Sequence, residues 1–187
     1  TESEQRQIDP HLMASTIRQE SGFEPSTVSN ADAVGIMQIM PAEAASIATR
    51  AGLPPPTREQ LFDPKLNIAI GVAEFSQKLA AEHGNTTLAI AAYNAGEDAV
   101  GRWLAKTPAD DVDLFVDSIP YNETRLYVKN VTRNQYEYRR IYEDRSIPRS
   151  ASPLTPASPC SRTATPGSGS PPRPARRSHP ANPRPRH

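Results

Sequence analysis

Cysteine occurs once, at Cys160, so no internal disulfide can staple this 187-residue chain, and thiol usage says nothing about its compartment. No stretch approaches the ~18 consecutive apolar residues of a membrane span, and no span is expected. A glycine-rich phosphate loop is missing. The four histidines, His11, His83, His179 and His187, stand far apart without ligand spacing. With one cysteine and no clustered carboxylates, no catalytic metal site is expected. β-branched alternation is nearly absent, which argues against a sheet. The chain opens on "TESEQRQIDP", with neither an initiator methionine nor a signal-like apolar core, and reads as a mature form or an excised fragment.

Net charge is zero only as a sum. Residues 1–146 hold 14 basic against 21 acidic groups, a balance of −7, and residues 147–187 hold seven arginines and no acid. The tail also carries 11 of the 20 prolines and almost nothing apolar, so it cannot offset its ordering entropy and is expected to be disordered. Its charge could attract nucleic acid or anionic wall polymers, but a solvated tail is the plainer reading and no nucleic-acid partner is expected. The expected division is therefore a folded domain over 1–146 and a Pro/Arg/Ser-rich basic tail over 147–187.

The folded part reads as successive helices, an all-α domain with room for one small hairpin across residues 28–39. Asp9-Pro10 supplies a cap and a first-turn proline for a helix carrying Leu12, Met13 and Ile17. Pro41 opens a second helix that Gly52 can close. "LPPPTREQ" reads as a loop. Asp63-Pro64 starts a longer helix with Ile68, Val72, Phe75 and Leu79 on one stripe, ending near Gly84. Asn85 can cap "TTLAIAAYNAG", "EDAVGRWLAK" follows, and residues 113–119 form a short helix. Asn122 can cap a final helix through Leu126, Val128, Val131, Tyr138 and Ile141.

One carboxylate stands out. In "RQESGFEP" (18–25), Glu20 follows Ile17 by one turn and precedes Phe23 by three residues. Apolar neighbours disfavour a charged carboxylate and raise its pKa, which suits a general acid. By residue type alone, a solvated helix-end glutamate is the commoner state. Spacing places no second carboxylate at the separation of about 5–9 Å that the usual glycosidase scheme requires.

Four strings in one order and spacing carry a resemblance: "RQESGFEP" (18–25), "GIMQIMP" (35–41), "AAYNAG" (91–96) and "IPYNETRLYVKNV" (119–131). Together they resemble the catalytic domain of lytic transglycosylases of the goose-type-lysozyme-like class, nearest the soluble lytic murein type. The likeness covers roughly residues 6–143 and stops before the tail. Nothing here matches the large helical-repeat domain that precedes the catalytic domain in the soluble enzymes.

The resemblance implies a lysozyme-like fold with a central substrate cleft and Glu20 as the single catalytic residue. It implies that Met37, Gln38 and Met40 line the cleft and that Tyr93 and Asn94 face it, with the Tyr93 hydroxyl near Glu20. It further implies that Glu123 assists binding or orientation and that Ser29 contacts substrate. Arg125 and Tyr127 read as structural. The implied substrate is peptidoglycan, cut at the MurNAc-β-1,4-GlcNAc bond with 1,6-anhydro ends, in a periplasmic or other extracytoplasmic compartment, by a monomer without cofactor. The rivals are a hydrolytic muramidase on the same fold and a non-enzymatic wall-binding module.

Overall fold

Proline at the first helical position opens three of the helices among the described residues, because its missing N–H would have no intrahelical partner there. The computed structural model describes residues 1–143. The expected tail and the boundary at 146/147 lie outside them. Thr1 caps a short helix α1 (Glu2–Gln5) in a reciprocal box with Glu4, an element that the sequence reading did not anticipate. Asp9 caps α2 (Pro10–Ser21) through the His11 N–H at 2.9 Å, and Gly22 ends it in the left-handed region at φ 63°. α3 (Pro41–Arg50) follows, and the expected loop after it contains a 3₁₀ turn at Glu59–Phe62.

Asp63 caps α4 (Pro64–Ala81) through the Leu66 N–H, and Asn85 caps α5 (Thr86–Ala95) through the Leu88 N–H. α6 (Glu97–Leu104) and α7 (Val112–Ser118, capped by Asp111) precede the last helix, α8 (Asn122–Tyr142). Asn122 does not cap α8. The cap position is Tyr121, and Asn122 is already helical, its amide oxygen taken by Arg125, whose other arm reaches the Ile119 carbonyl at 2.7 Å.

α5 is buried from Leu88 through Ala92, so it needs partners on every side. α4 and α8 both pack on it, and α2 packs on α8. Phe75, Ile70 and Val72 of α4 meet Ile90 of α5 and Val128 and Val131 of α8 in one core cluster. No described helix is long and apolar enough to cross a membrane.

The expected small hairpin condenses to two isolated antiparallel bridges, Val28–Val34 and Val34–Ile39; no strand forms among the described residues. A buried asparagine holds this turn instead. Asn67 of α4 donates to the carbonyls of Val34 (2.9 Å) and Leu61 (2.8 Å) and accepts from the Met37 N–H (2.8 Å). Gly35 must be glycine here. Its φ is +83°, and a Cβ would lie 2.5 Å from the Leu61 carbonyl oxygen and closer still to the Asn67 amide.

Asn67→Ala would leave the Met37 N–H and the Leu61 carbonyl without partners and take from the Val34 carbonyl one of its two donors, the Ile39 N–H remaining. The expected outcome is a loss of about 3–5 kcal/mol in unfolding free energy, measured by urea denaturation. A loss below about 1 kcal/mol would show that the turn holds itself.

Candidate active site

Glu20 sits in the last turn of α2, where the left-handed cap at Gly22 sends the chain away and leaves the carboxyl facing α8. The hydroxyl of Tyr127 donates to Glu20 Oε1 at 2.5 Å. Burial pushes the Glu20 carboxyl up to about 7; the Tyr127 hydrogen bond opposes that rise, and the charges of Glu74 and Glu123 add to it. Burial, and then the neighbouring Glu20, hold the Tyr127 phenol well above its ordinary value, so the hydroxyl keeps its proton and stays a donor.

Two adjoining cavities of 630 and 430 Å³ share Glu20, Ser29, Gln38, Asn94 and Glu123 as lining. The larger runs past Met40, Glu43, Glu74, Lys78 and Tyr93, the smaller past Gln19, Leu126, Tyr127 and Asn130. Glu20 therefore lies where the two meet, with the other four shared residues around it.

The elements explain how each side chain arrives. The Asn67-held turn brings Ser29, Gln38 and Met40 to one wall. The Ser29 Oγ accepts from the N–H groups of Ala31 (3.2 Å) and Ala33 (3.0 Å), which leaves its proton to donate. Gln38 stands at φ +54°, and its Nε2 is spent on the carbonyls of Thr27 and Gly35, so its amide oxygen is the atom offered to the cavity. The end of α5 supplies Tyr93 and Asn94; the Asn94 side chain makes no hydrogen bond among the described residues. Glu123 comes from the exposed first turn of α8.

Two expectations need correction. Met37 does not line the cavity: its side chain is fully buried, its sulfur packed where a Cβ on Gly71 of α4 would have to go. Tyr93 lies near Glu20, lining the same cavity, but its hydroxyl does not orient the carboxyl. Its hydroxyl donates to the Met37 carbonyl at 3.0 Å, because that carbonyl is turned toward α5 when Asn67 takes the Met37 N–H.

Two residues went unread. Tyr127, taken as structural, is the hydrogen-bond partner of Glu20. It lies on the buried α8 stripe with Thr124, Val128 and Val131, and a buried tyrosine needs a partner for its hydroxyl, which was the available signal. Glu74 also escaped notice. It interrupts a run of α4 that is buried from Ala69 to Ala73 and again at Phe75, a poor place for an unpaired carboxylate, and Lys78 stands one turn on. The carboxylates that looked scattered in sequence thus converge: Glu20, Glu43, Glu74 and Glu123 all line the larger cavity.

Among the described residues, Asp9, His11 and Glu143 bring one ligand atom each within 4.8 Å of the others. None of them lines the cavity with Glu20, and the Asp9 carboxylate is already engaged by Arg139 at 2.7 Å and Gln135 at 2.6 Å. The cluster reads as an ion-paired clasp between α2 and α8.

Comparison with known proteins bears on this site. The family described as Transglycosylase SLT domain matches residues 1–116. The soluble lytic murein transglycosylase of Escherichia coli K12 is 37% identical over 143 residues, covering 75% of this chain and 22% of its own. The membrane-bound lytic murein transglycosylase C of Edwardsiella ictaluri is 31% identical over 160 residues, covering 74% of this chain and 45% of its own. Among solved structures, an inactive variant of the lytic transglycosylase Slt from Pseudomonas aeruginosa superimposes with a TM-score of 0.73 at 35% identity, over 76% of this chain and 23% of that one. The chain spans about a fifth of the length of the soluble relatives it matches.

The raised pKa of Glu20 has a consequence for stability. Between the unfolded value of 4.5 and about 7, the folded state holds a proton that the unfolded state has lost, so stability falls as pH rises through that window. Glu20→Gln removes this dependence. The variant should match the parent at about pH 4 and exceed it by roughly 3 kcal/mol at about pH 8 in urea denaturation. An equal difference at both pH values would mean that Glu20 titrates normally.

Proposed function

This chain belongs to the transglycosylase SLT domain family, and from that premise we propose that it cleaves peptidoglycan strands at the MurNAc-β-1,4-GlcNAc bond without consuming water. The observation that carries the reading is the Glu20 carboxyl, half-buried where two cavities meet, hydrogen-bonded by Tyr127 and raised to about 7. The lytic murein transglycosylase names of its relatives support the substrate.

A glycosidic oxygen leaves only if it is protonated as its bond to the anomeric carbon breaks. A carboxyl with its pKa near neutrality holds that proton and can give it up, so Glu20 is the acid. The bond electrons leave with the oxygen, and the muramyl ring becomes an oxocarbenium-like cation that its own N-acetyl oxygen can stabilise. Glu20 is then a carboxylate. It takes the proton of the 6-hydroxyl as that oxygen bonds to the anomeric carbon, and the enzyme returns to its starting state with a 1,6-anhydro sugar as product.

The Tyr127 hydrogen bond favours the ionised form, so it keeps the rise from going further and helps the carboxyl release its proton. The free donor of Ser29, the amide oxygen of Gln38 and the unspent amide of Asn94 suit the hydroxyl and acetamido groups of sugars. Met40, partly exposed in the same wall, offers an adaptable apolar surface to a sugar face. Glu123 assists from the opposite side. The working place of such a domain is the bacterial wall, an extracytoplasmic compartment.

Glu20→Gln should lower cleavage of purified sacculi by about two to three orders of magnitude or more while wall binding survives. Mass analysis of parent digests should find ends lighter by one water than reducing ends. Reducing ends alone would establish hydrolysis instead, and unchanged turnover in the variant would remove Glu20 from the mechanism. Tyr127→Phe withdraws the donor that favours ionisation, so the alkaline limb of kcat/KM should move up by about half to one pH unit. A limb that stays in place would assign Tyr127 to packing.

A further inference from the structure

The mechanism uses one carboxylate, yet a second lies deep in the same cavity. Glu74 projects from α4, with 15% of its side chain exposed, and its ammonium partner Lys78 is 3.6 Å away, equally covered. A carboxylate in such a position is costly unless it is paired. No part of the fold requires it: Glu74 makes no hydrogen bond to backbone or to another helix's side chain among the described residues, so it neither caps nor clasps.

We infer that Glu74, held by Lys78 in the wall of the cavity that contains Glu20, is a positioning residue whose negative charge adds to burial in keeping the Glu20 carboxyl protonated in the free enzyme. The inference rests on the acid role proposed for Glu20. Two carboxylates sharing a low-dielectric cavity cannot ionise independently; the one with the better cation ionises first and holds back the other.

The surroundings decide the order. Around Glu74 stand Lys78 on its own helix, Glu43 and Arg50 on α3, Tyr93 on α5, Tyr127 on α8 and Glu20 on α2. Lys78 also lies 4.0 Å from Glu97 of α6. Around Glu20 stand Tyr127 and Glu123 on α8, Tyr93 on α5 and Glu74 on α4, with no cation among them. Glu74 therefore takes the first ionisation and Glu20 the second. Burial raises both, in keeping with a shared site.

The test compares Glu74→Gln with the conservative Glu74→Asp on two readouts. The first is the pH dependence of kcat/KM on purified glycan strands. The alkaline limb should move down by about half to one pH unit in Glu74→Gln, a three- to tenfold loss on the alkaline side, and return in Glu74→Asp, which keeps the charge. The second is the ¹³C NMR titration of the Glu20 carboxyl carbon, identified by its loss in Glu20→Gln, which needs no substrate. That titration should move down in the same proportion. An unmoved Glu20 titration in a folded Glu74→Gln protein overturns the inference, as does a uniform loss of rate at every pH. If the titration moves but the parent cuts no glycan, the coupling stands and the proposed activity falls.

Discussion

The hydrogen bond from Tyr127 to Glu20 depends on α2 and α8 lying antiparallel against each other, and the rest of the domain serves that arrangement. At the opposite end of the pair, Asp9 accepts from Gln135 and Arg139, and between them Arg18 donates to the Tyr138 hydroxyl. These contacts fix the two helices along their length. A carboxyl brought out of water by such packing has one donor facing it and, among the described residues, no paired cation, so its charge is disfavoured without being forbidden. That condition is what a group needs if it must give up a proton and later take one.

The opposite wall has a different physical origin. α4 carries Asn67, which replaces the ladder of a true hairpin with three hydrogen bonds to an irregular turn. The turn also bonds to itself, through Gln38 Nε2 and Ser29 Oγ, and this leaves the Gln38 amide oxygen and the Ser29 proton for the cavity. Met37 is the anchor of this wall, buried against Gly71, and Met40 and Gln38 are the face it presents. Tyr93 belongs to the same support, bonding the Met37 carbonyl while its ring packs 5.8 Å from that of Phe75. Glu20 is thus supported from α8 and the other cavity-facing groups from α4 and α5, two supports that meet through the buried α5.

Much of this was legible from local rules. Asp9-Pro10, Asp63-Pro64 and Asn85 mark helix starts because capping chemistry is local, and the stripe of α4 marks its buried face. Glu20 was legible through the company it keeps in sequence. Tyr127 and Glu74 were not, since their role comes from residues 107 and 54 positions away that only tertiary packing brings near. Met37 was misplaced for a related reason. Four apolar residues in "GIMQIMP" give no period by which to tell the anchor from the surface when the segment is neither helix nor strand. Asn122 shows a different limit at a helix end, where a local fork from Arg125, three residues on, takes the amide oxygen that a cap would need.

Glu20 is held between two opposed influences, a phenol that favours its charge and neighbouring carboxylates that resist it, with burial the largest influence of all. The central claim is that the balance leaves this one carboxyl neutral in the resting protein near neutrality. Infrared difference spectroscopy of the parent protein against Glu20→Gln, titrated across neutral pH, reads that state directly. The account predicts a protonated-carboxyl stretch belonging to Glu20 that persists at about pH 6 and disappears by about pH 8. A spectrum in which that band is already lost by about pH 5 would contradict it.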